Sequence, residues 1–419
     1  MTSIYQSRLT LRQRLALVLF GLAIAVLAVE IAARALHLLP VTPPDTYHQL
    51  REVLGLMPPP YQYFFYSQPG HEFRTWVQFN YRSLRDIDHE HEKPPGTERI
   101  MFLGDSYTAG WQVPLEQTYV SRLRDSLNRL PGRPHDYDLI NAGLHGWGTD
   151  QQYLYYREEG YRYGSDLVVL QIYAGNDVVD NGIAVLDLPI DRYRPYFVLD
   201  DAGALVYVPY EGPLPEPYRP QGVVNQARWF LDQNSYTYRL LGDLMKNLAD
   251  NTPAQPDPPP ALPDEMPVDY ELFAPEYDER WQTAWAITRQ LVRALRQEVE
   301  SRGGQMVVIL VPARQEENPD SWAMIVERYN LPAGWDPARP TERFADMLAA
   351  EGIPYLDMRP SRRAYVEATG HPLSFSRDGH WNAEGHCVAA VAIQNWLIAE
   401  GWIAGPPTYT PLDAVEVCA

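Results

Sequence analysis

The apolar run Ile100 to Leu103 breaks abruptly into Gly104-Asp105-Ser106, and this junction limits what the chain can fold into more than any other stretch. An apolar run without alternation suits a strand buried on both faces. Gly104 ends the run where the backbone must turn sharply, which delivers Ser106 to the carboxyl end of that strand. In open α/β sheets that edge is where ligands and catalytic groups collect, so a serine there can be a nucleophile. Its hydroxyl is weak alone and needs a base from elsewhere; without one, Ser106 is a turn or helix-capping residue.

From Arg99 onward the pattern alternates between strand and helix, the signature of a doubly wound parallel sheet. Val120, Leu123, Leu127 and Leu130 recur at helical spacing until Pro131-Gly132. Leu139 to Ala142 reads as a second strand, followed by a glycine-rich loop, Gly143 to Gly148, and a helix capped by Thr149 and ended by Gly160. A third strand, Leu167 to Ala174, runs into Gly175-Asn176-Asp177. Residues 181–277 interrupt the alternation with a hairpin signal, Tyr196 to Leu199 and Ala204 to Val208 around Asp-Asp-Ala-Gly, and with a Pro/Asp-rich surface stretch at 251–267. The alternation then resumes. Trp281, Trp285, Thr288, Val292, Leu295 and Val299 place one long buried face on a helix that Gly303-Gly304 terminates. Met306 to Val311 and Tyr355 to Met358 are the fourth and fifth strands, and a largely buried helix begins at Asn382 and ends near Glu400.

Ahead of this domain, Arg8, Arg12 and Arg14 precede an uncharged stretch, Leu15 to Val29, that extends through Ala33 to near the ~20 residues a bilayer span requires. Glu30 and Arg34 are four apart and could pair at its outer end. The positive-inside rule then places everything after Pro40 outside the cytoplasm, on an uncleaved anchor or, alternatively, after removal of a signal peptide. Residues 41–98 hold a Pro-rich spacer, an aromatic patch (Tyr61, Tyr63, Phe64, Phe65, Tyr66) expected to pack onto the domain, and an accessory strand at Trp76 to Asn80. A net charge of −19 without a basic block argues against nucleic acid as partner. The two cysteines, Cys387 and Cys418, have no metal-ligand spacing and are expected to remain free thiols, a disulfide between them being the alternative.

Serine chemistry needs a base, a group that orients it, and donors for an oxyanion. Asp378-Gly379-His380 precedes the last helix, and a histidine two residues after an aspartate can turn its ring back onto that carboxylate. Gly146 can present a backbone N–H without a side chain in the way, and Asn176 can present its carboxamide, with the Ser106 amide as a third donor. In order, Gly104-Asp-Ser106, Asn141 to Gly146, Gly175-Asn-Asp177 and Asp378-x-His380 resemble blocks I, II, III and V of the GDSL, or SGNH, hydrolase superfamily. The resemblance spans residues 99–400. It implies a flavodoxin-like, three-layer fold around a central parallel sheet, and a Ser106–His380–Asp378 triad with an oxyanion hole of Ser106, Gly146 and Asn176. The shorter Asp378-Gly-His380-Trp381 spacing looks like that of alginate and cell-wall O-acetyltransferase relatives, where many members have Asp-x-x-His.

The resulting expectation is a cytoplasmic tip and transmembrane anchor at 1–40, an extracytoplasmic linker at 41–98, and a catalytic domain at 99–419 carrying the insertion at about 181–277. The expected activity is that of a serine esterase on O-acyl esters of a glycan or small ester, without cofactor or metal. An O-acyltransferase with a carbohydrate acceptor is the nearest alternative, and a non-catalytic glycan-binding module the next. His145 beside Gly146 reads as lining or as loop packing. Asp105 and Asp177 read as turn-fixing, and Tyr153, Tyr155, Tyr156, Tyr161 and Tyr163 as packing or sugar-stacking residues. His386 offers only a remote metal site with Asp378 and His380. Gly-x-Ser-x-Gly is absent around Ser106, which excludes the α/β-hydrolase nucleophile elbow.

Overall fold

The computed structural model describes residues 10–35, 53–55, 57–67, 72–186, 188, 194–210, 222–235, 237–238, 241–242, 245 and 262–419. The Pro-rich spacer at 40–44, most of the Pro/Asp-rich stretch and the Arg34 side chain expected to pair with Glu30 lie outside the described residues. The residues group into two compact units, one of 1–42 with 215–254 and one of 43–214 with 255–419. The stretch 181–277 is thus divided between them.

The larger unit is built on five parallel strands: β3 (Thr97–Gly104), β4 (Asp136–Gly143), β5 (Leu167–Tyr173), β8 (Gln305–Val311) and β9 (Tyr355–Asp357). Their order, β4-β3-β5-β8-β9, is the doubly wound order of flavodoxin-like sheets. Residues alternate across this sheet, and both faces are covered. Met101, Leu103, Val168, Leu170, Val308 and Leu310 meet the helices Thr149–Glu158 and Glu279–Ser301 on one side. Ile100, Phe102, Val169, Val307 and Ile309 meet Tyr119–Arg129 and Ala383–Ala399 on the other. Each such side chain taken out of water contributes ~1.5–3 kcal/mol, which is why these strands read as continuous apolar runs.

Outside this sheet, β1 (Tyr63–Ser67) and β2 (Arg74–Gln78) form an antiparallel pair, and β6 (Tyr196–Leu199) and β7 (Leu205–Val208) form the expected hairpin. Tyr63 stacks on Trp76, and Tyr66 packs edge-on to Trp111. The helix Thr149–Glu158 is capped by Gly148 rather than Thr149, whose hydroxyl is already inside the first turn.

The two cysteines correct the sequence reading: Cys387 and Cys418 form a disulfide, with Cα atoms 5.7 Å apart. Separation along the chain said nothing of this proximity. It arises because Asn395 bonds the Leu412 N–H and the Tyr409 hydroxyl, doubling the chain back so that the helix Ala414–Cys418 packs near Tyr365, Leu373 and Val388.

Candidate active site

Ser106 opens a single helical turn, Ser106–Ala109, immediately after β3. Asp105 caps that turn by accepting the Tyr107 N–H at 2.9 Å, and Gly110, with φ +59°, closes it in the left-handed conformation. Gly104 has no room for a side chain, since a Cβ would sit 2.1 Å from Thr108 Oγ1 and 2.6 Å from Gln171 Oε1. Gln171 Oε1, reaching from β5, accepts from the Asp105 N–H at 3.1 Å and from Thr108 Oγ1 at 2.9 Å. From β4, Asn141 Nδ2 donates to the Thr108 carbonyl at 2.9 Å. Buried Arg85 donates to the carbonyls of Ala109, Gly110 and Val113, and burial pushes its guanidinium pKa down to about 9.

The base arrives on a separate turn, pinned by the Phe375 N–H to the His380 carbonyl and the Gly379 N–H to the Phe375 carbonyl, both 2.9 Å. Gly379 has φ +86° and Arg314 lies against it, so glycine alone suits the middle of Asp-Gly-His. The ring then folds back as the spacing anticipated. His380 Nδ1 is 2.6 Å from Asp378 Oδ1, and Nε2 is 2.7 Å from Ser106 Oγ. Burial alone would raise the Asp378 pKa, but the hydrogen bond and charge of His380 hold it below the usual carboxylate range. Asp378 is therefore ionised near neutral pH. It draws the imidazole proton to Nδ1 and leaves Nε2 free to accept from the serine hydroxyl.

Sequence reasoning missed the group that holds this turn. The Glu72 carboxylate accepts from Ser376 Oγ at 2.7 Å and from the backbone N–H groups of Arg377 at 2.9 Å and Asp378 at 2.9 Å. Tyr107 adds a bond from its hydroxyl to the Gly379 carbonyl at 3.2 Å. Glu72 lies just before β2 in a stretch read as linker, and nothing local to it signals a partner three hundred residues on.

Gly146 sits in the loop after β4 with φ +77°, and Asn176 follows β5 at the head of the turn Asp177–Asn181. Asn176 caps that turn without using its side chain, so its carboxamide is not committed to the cap. Both residues thus stand at the sheet edge that carries Ser106. Asp105 and Asp177 are spent on turns, the latter accepting the Tyr173 N–H at 2.8 Å. Burial raises both pKa values, that of Asp105 to about 6.

His145 stacks on Trp111 with centroids 4.8 Å apart, and its ring is 6.1 Å from that of His380, so Tyr66, Trp111 and His145 form an aromatic row leading to the base. The tyrosines of 153–163 are used in packing: Tyr155, Tyr156 and Tyr163 are buried, Tyr153 meets Phe197, and Tyr161 lies under Arg302. His386 is buried in the final helix, where its Nδ1 accepts the Tyr119 N–H at 3.3 Å. Among the described residues no group of three potential ligands could hold a metal.

Residues 271–409 match the family described as an SGNH hydrolase-like domain, acetyltransferase AlgX. No curated protein matches the chain. Among solved structures, a two-domain esterase active on acetylated mannans is similar at 13% identity and a TM-score of 0.35, over 76% of this chain and 53% of that one. An acetylxylan esterase from Geobacillus stearothermophilus, crystallised as a catalytic mutant, is 12% identical over 71% and 92% with a TM-score of 0.34. A lipase/acylhydrolase from Enterococcus faecalis is 13% identical over 74% and 100%, also at 0.34.

Proposed function

We propose that this chain, which belongs to the SGNH hydrolase superfamily, is a serine esterase that removes O-acyl groups, acetyl in the first instance, from a glycan or small ester outside the cytoplasm. The observation that carries this is the unbroken relay from Asp378 through His380 to Ser106, with both hydrogen bonds already at bonding distance. Ser106 Oγ attacks the ester carbonyl as its proton passes to His380 Nε2, and the carbonyl oxygen becomes an oxyanion facing the Ser106 amide, the Gly146 amide and the Asn176 carboxamide. When the oxyanion collapses, the C–O bond to the alcohol breaks and His380 returns the proton to that leaving group. Water then repeats the sequence on the seryl ester and releases the acid.

The aromatic row of Tyr66, Trp111 and His145 supports a carbohydrate alcohol, because flat apolar faces beside polar edges suit a sugar ring. Location outside the cytoplasm is supported by the apolar helix within Leu11–Ala32 with arginines at its start, and by the disulfide, which persists in oxidising compartments.

A second reading has its own support. The family matched over residues 271–409 is described as an acetyltransferase, and that range contains Asp378-Gly-His380-Trp381. In this reading a sugar hydroxyl takes the place of water in the second step. The test is release of acetate and p-nitrophenol from p-nitrophenyl acetate, with and without added oligosaccharide. Equal release of both, unaffected by sugar and lost in Ser106→Ala, supports the esterase. Phenol outrunning acetate when sugar is present supports transfer, and release that survives Ser106→Ala overturns both readings.

A further inference from the structure

Glu30 is an acidic side chain inside the apolar helix Leu11–Ala35. A carboxylate near the end of such a segment is partly withdrawn from water and is favoured by hydrogen-bond donors. Among the described residues it accepts from Ser235 and Thr237, more than two hundred residues on. Ser235 Oγ lies 3.1 Å from Glu30 Oε2, the Thr237 N–H 3.2 Å and Thr237 Oγ1 3.3 Å. Ser235 ends the helix Val223–Asn234, and its hydroxyl also accepts the Tyr238 N–H at 3.2 Å. The Ser-x-Thr turn is thereby shaped to clasp one carboxylate.

The element that carries this clasp has an unusual surface. Val223 is 83% exposed, Val224 65%, Leu241 53% and Met245 71%. Leu231 and Arg228 are exposed beside them, and Tyr238 is half-buried. Aromatic, aliphatic and basic residues in this mixture characterise segments that lie in a lipid headgroup layer. The helix it clasps is equally bare, with Leu15 to Ile31 exposed along its length. Both belong to the same compact unit.

We propose that the described residues of 222–245 form a second membrane-seated element, docked on the anchoring helix through Glu30, with the phospholipid bilayer covering the exposed side chains of Val223, Val224, Leu241 and Met245. The proposal rests on the reading of Leu11–Ala32 as a retained anchor, since a segment removed as a signal peptide would leave Ser235 and Thr237 without their acceptor. It gives the chain two membrane contacts where the sequence reading allowed one.

The two native cysteines are joined, so a single introduced cysteine can carry a fluorescent nitrobenzoxadiazole label in the full chain. Labels at Val224→Cys and Met245→Cys, in phosphatidylethanolamine and phosphatidylglycerol vesicles containing doxyl-labelled acyl chains, are expected to be quenched. Leu19→Cys in the anchor reports the anchor itself, and Asp201→Cys on the hairpin tip serves as the aqueous control. Quenching at Leu19 with none at Val224 and Met245 overturns the second element and leaves the anchor standing. No quenching at Leu19 overturns the anchor, and the proposal with it. Glu30→Leu is expected to lower quenching at Val224 and Met245 about twofold without changing Leu19, and unchanged quenching there would remove Glu30 as the clasp.

Discussion

The turn carrying Ser106 grows directly out of β3 and is bonded to β4 through Asn141 and to β5 through Gln171, whereas the turn carrying Asp378 and His380 belongs to no strand of the sheet. The first is an extension of the core. The second is a half-buried loop closed on itself by two backbone bonds and fastened by the carboxylate of Glu72. Nucleophile and base are therefore positioned by different physics: close packing on one side, and a few charge-assisted hydrogen bonds on the other. Perturbing the packed half should cost stability and activity together, and perturbing the fastened half should cost activity alone.

The largest effect is expected from Ser106→Ala, which removes the nucleophile while disturbing neither half. Turnover should fall by about 10⁴-fold or more with an unchanged melting temperature. A large loss of stability would show that the relay, rather than the sheet, holds the nucleophile turn. Asn176→Ala comes next. Loss of a donor to the oxyanion should lower kcat by about 10²-fold to 10³-fold, with KM little changed, in steady-state kinetics. An effect confined to KM would mean that Asn176 binds substrate rather than the transition state.

This difference between the halves also explains what could be read from the sequence. The strands of the packed half were legible, because buried parallel strands appear as uninterrupted apolar runs: Ile100 to Leu103, Leu139 to Ala142 and Leu167 to Ala174 all lie within observed strands or run one residue past them. The Asp378-His380 pair was legible because the interaction is local, two residues apart. Its fastening by Glu72 was not, nor were the Arg85 bonds behind the nucleophile turn or the Cys387–Cys418 bond: all act across long stretches of chain, and a lone glutamate, arginine or cysteine carries no periodicity that would announce its partner. The clasp of Ser235 and Thr237 on Glu30 was hidden for the same reason.

Two substitutions sharpen the contrast at intermediate magnitude. Gly104→Ala forces a methyl group to within 2.1 Å of Thr108 Oγ1 and 2.6 Å of Gln171 Oε1, with little slack because Gln171 and Thr108 are already bonded to one another. Overpacking of this kind costs about 1–3 kcal/mol, so thermal unfolding should shift downward while activity falls with it. Glu72→Gln keeps the shape of the fastening and removes its charge. It should lower kcat by about 10-fold to 10²-fold through a misplaced base, with the melting temperature unmoved. A drop in both would mean that the 374–381 turn is part of the core after all.

The smallest effect concerns pH and again belongs to the packed half. His386 lies behind the nucleophile turn, where a Cβ on Gly110 would come within 3.1 Å of its ring. Burial, reinforced by the charges of Arg85, Arg122 and Arg362, holds its pKa well below the ordinary histidine value, so it is neutral in the folded protein and accepts the Tyr119 N–H. Its pKa is therefore lower folded than unfolded. The stability it permits is present above the unfolded value of about 6.5 and declines as the pH falls below it, by up to about 1.4 kcal/mol per pH unit. His386→Asn leaves an acceptor near the position of Nδ1 but nothing to protonate. Melting temperatures between about pH 5 and pH 7 should fall less steeply on acidification in this variant than in the parent. Equal slopes would mean that His386 takes up its proton alike in the folded and unfolded states, and that the back of the nucleophile turn is wetter than its packing implies.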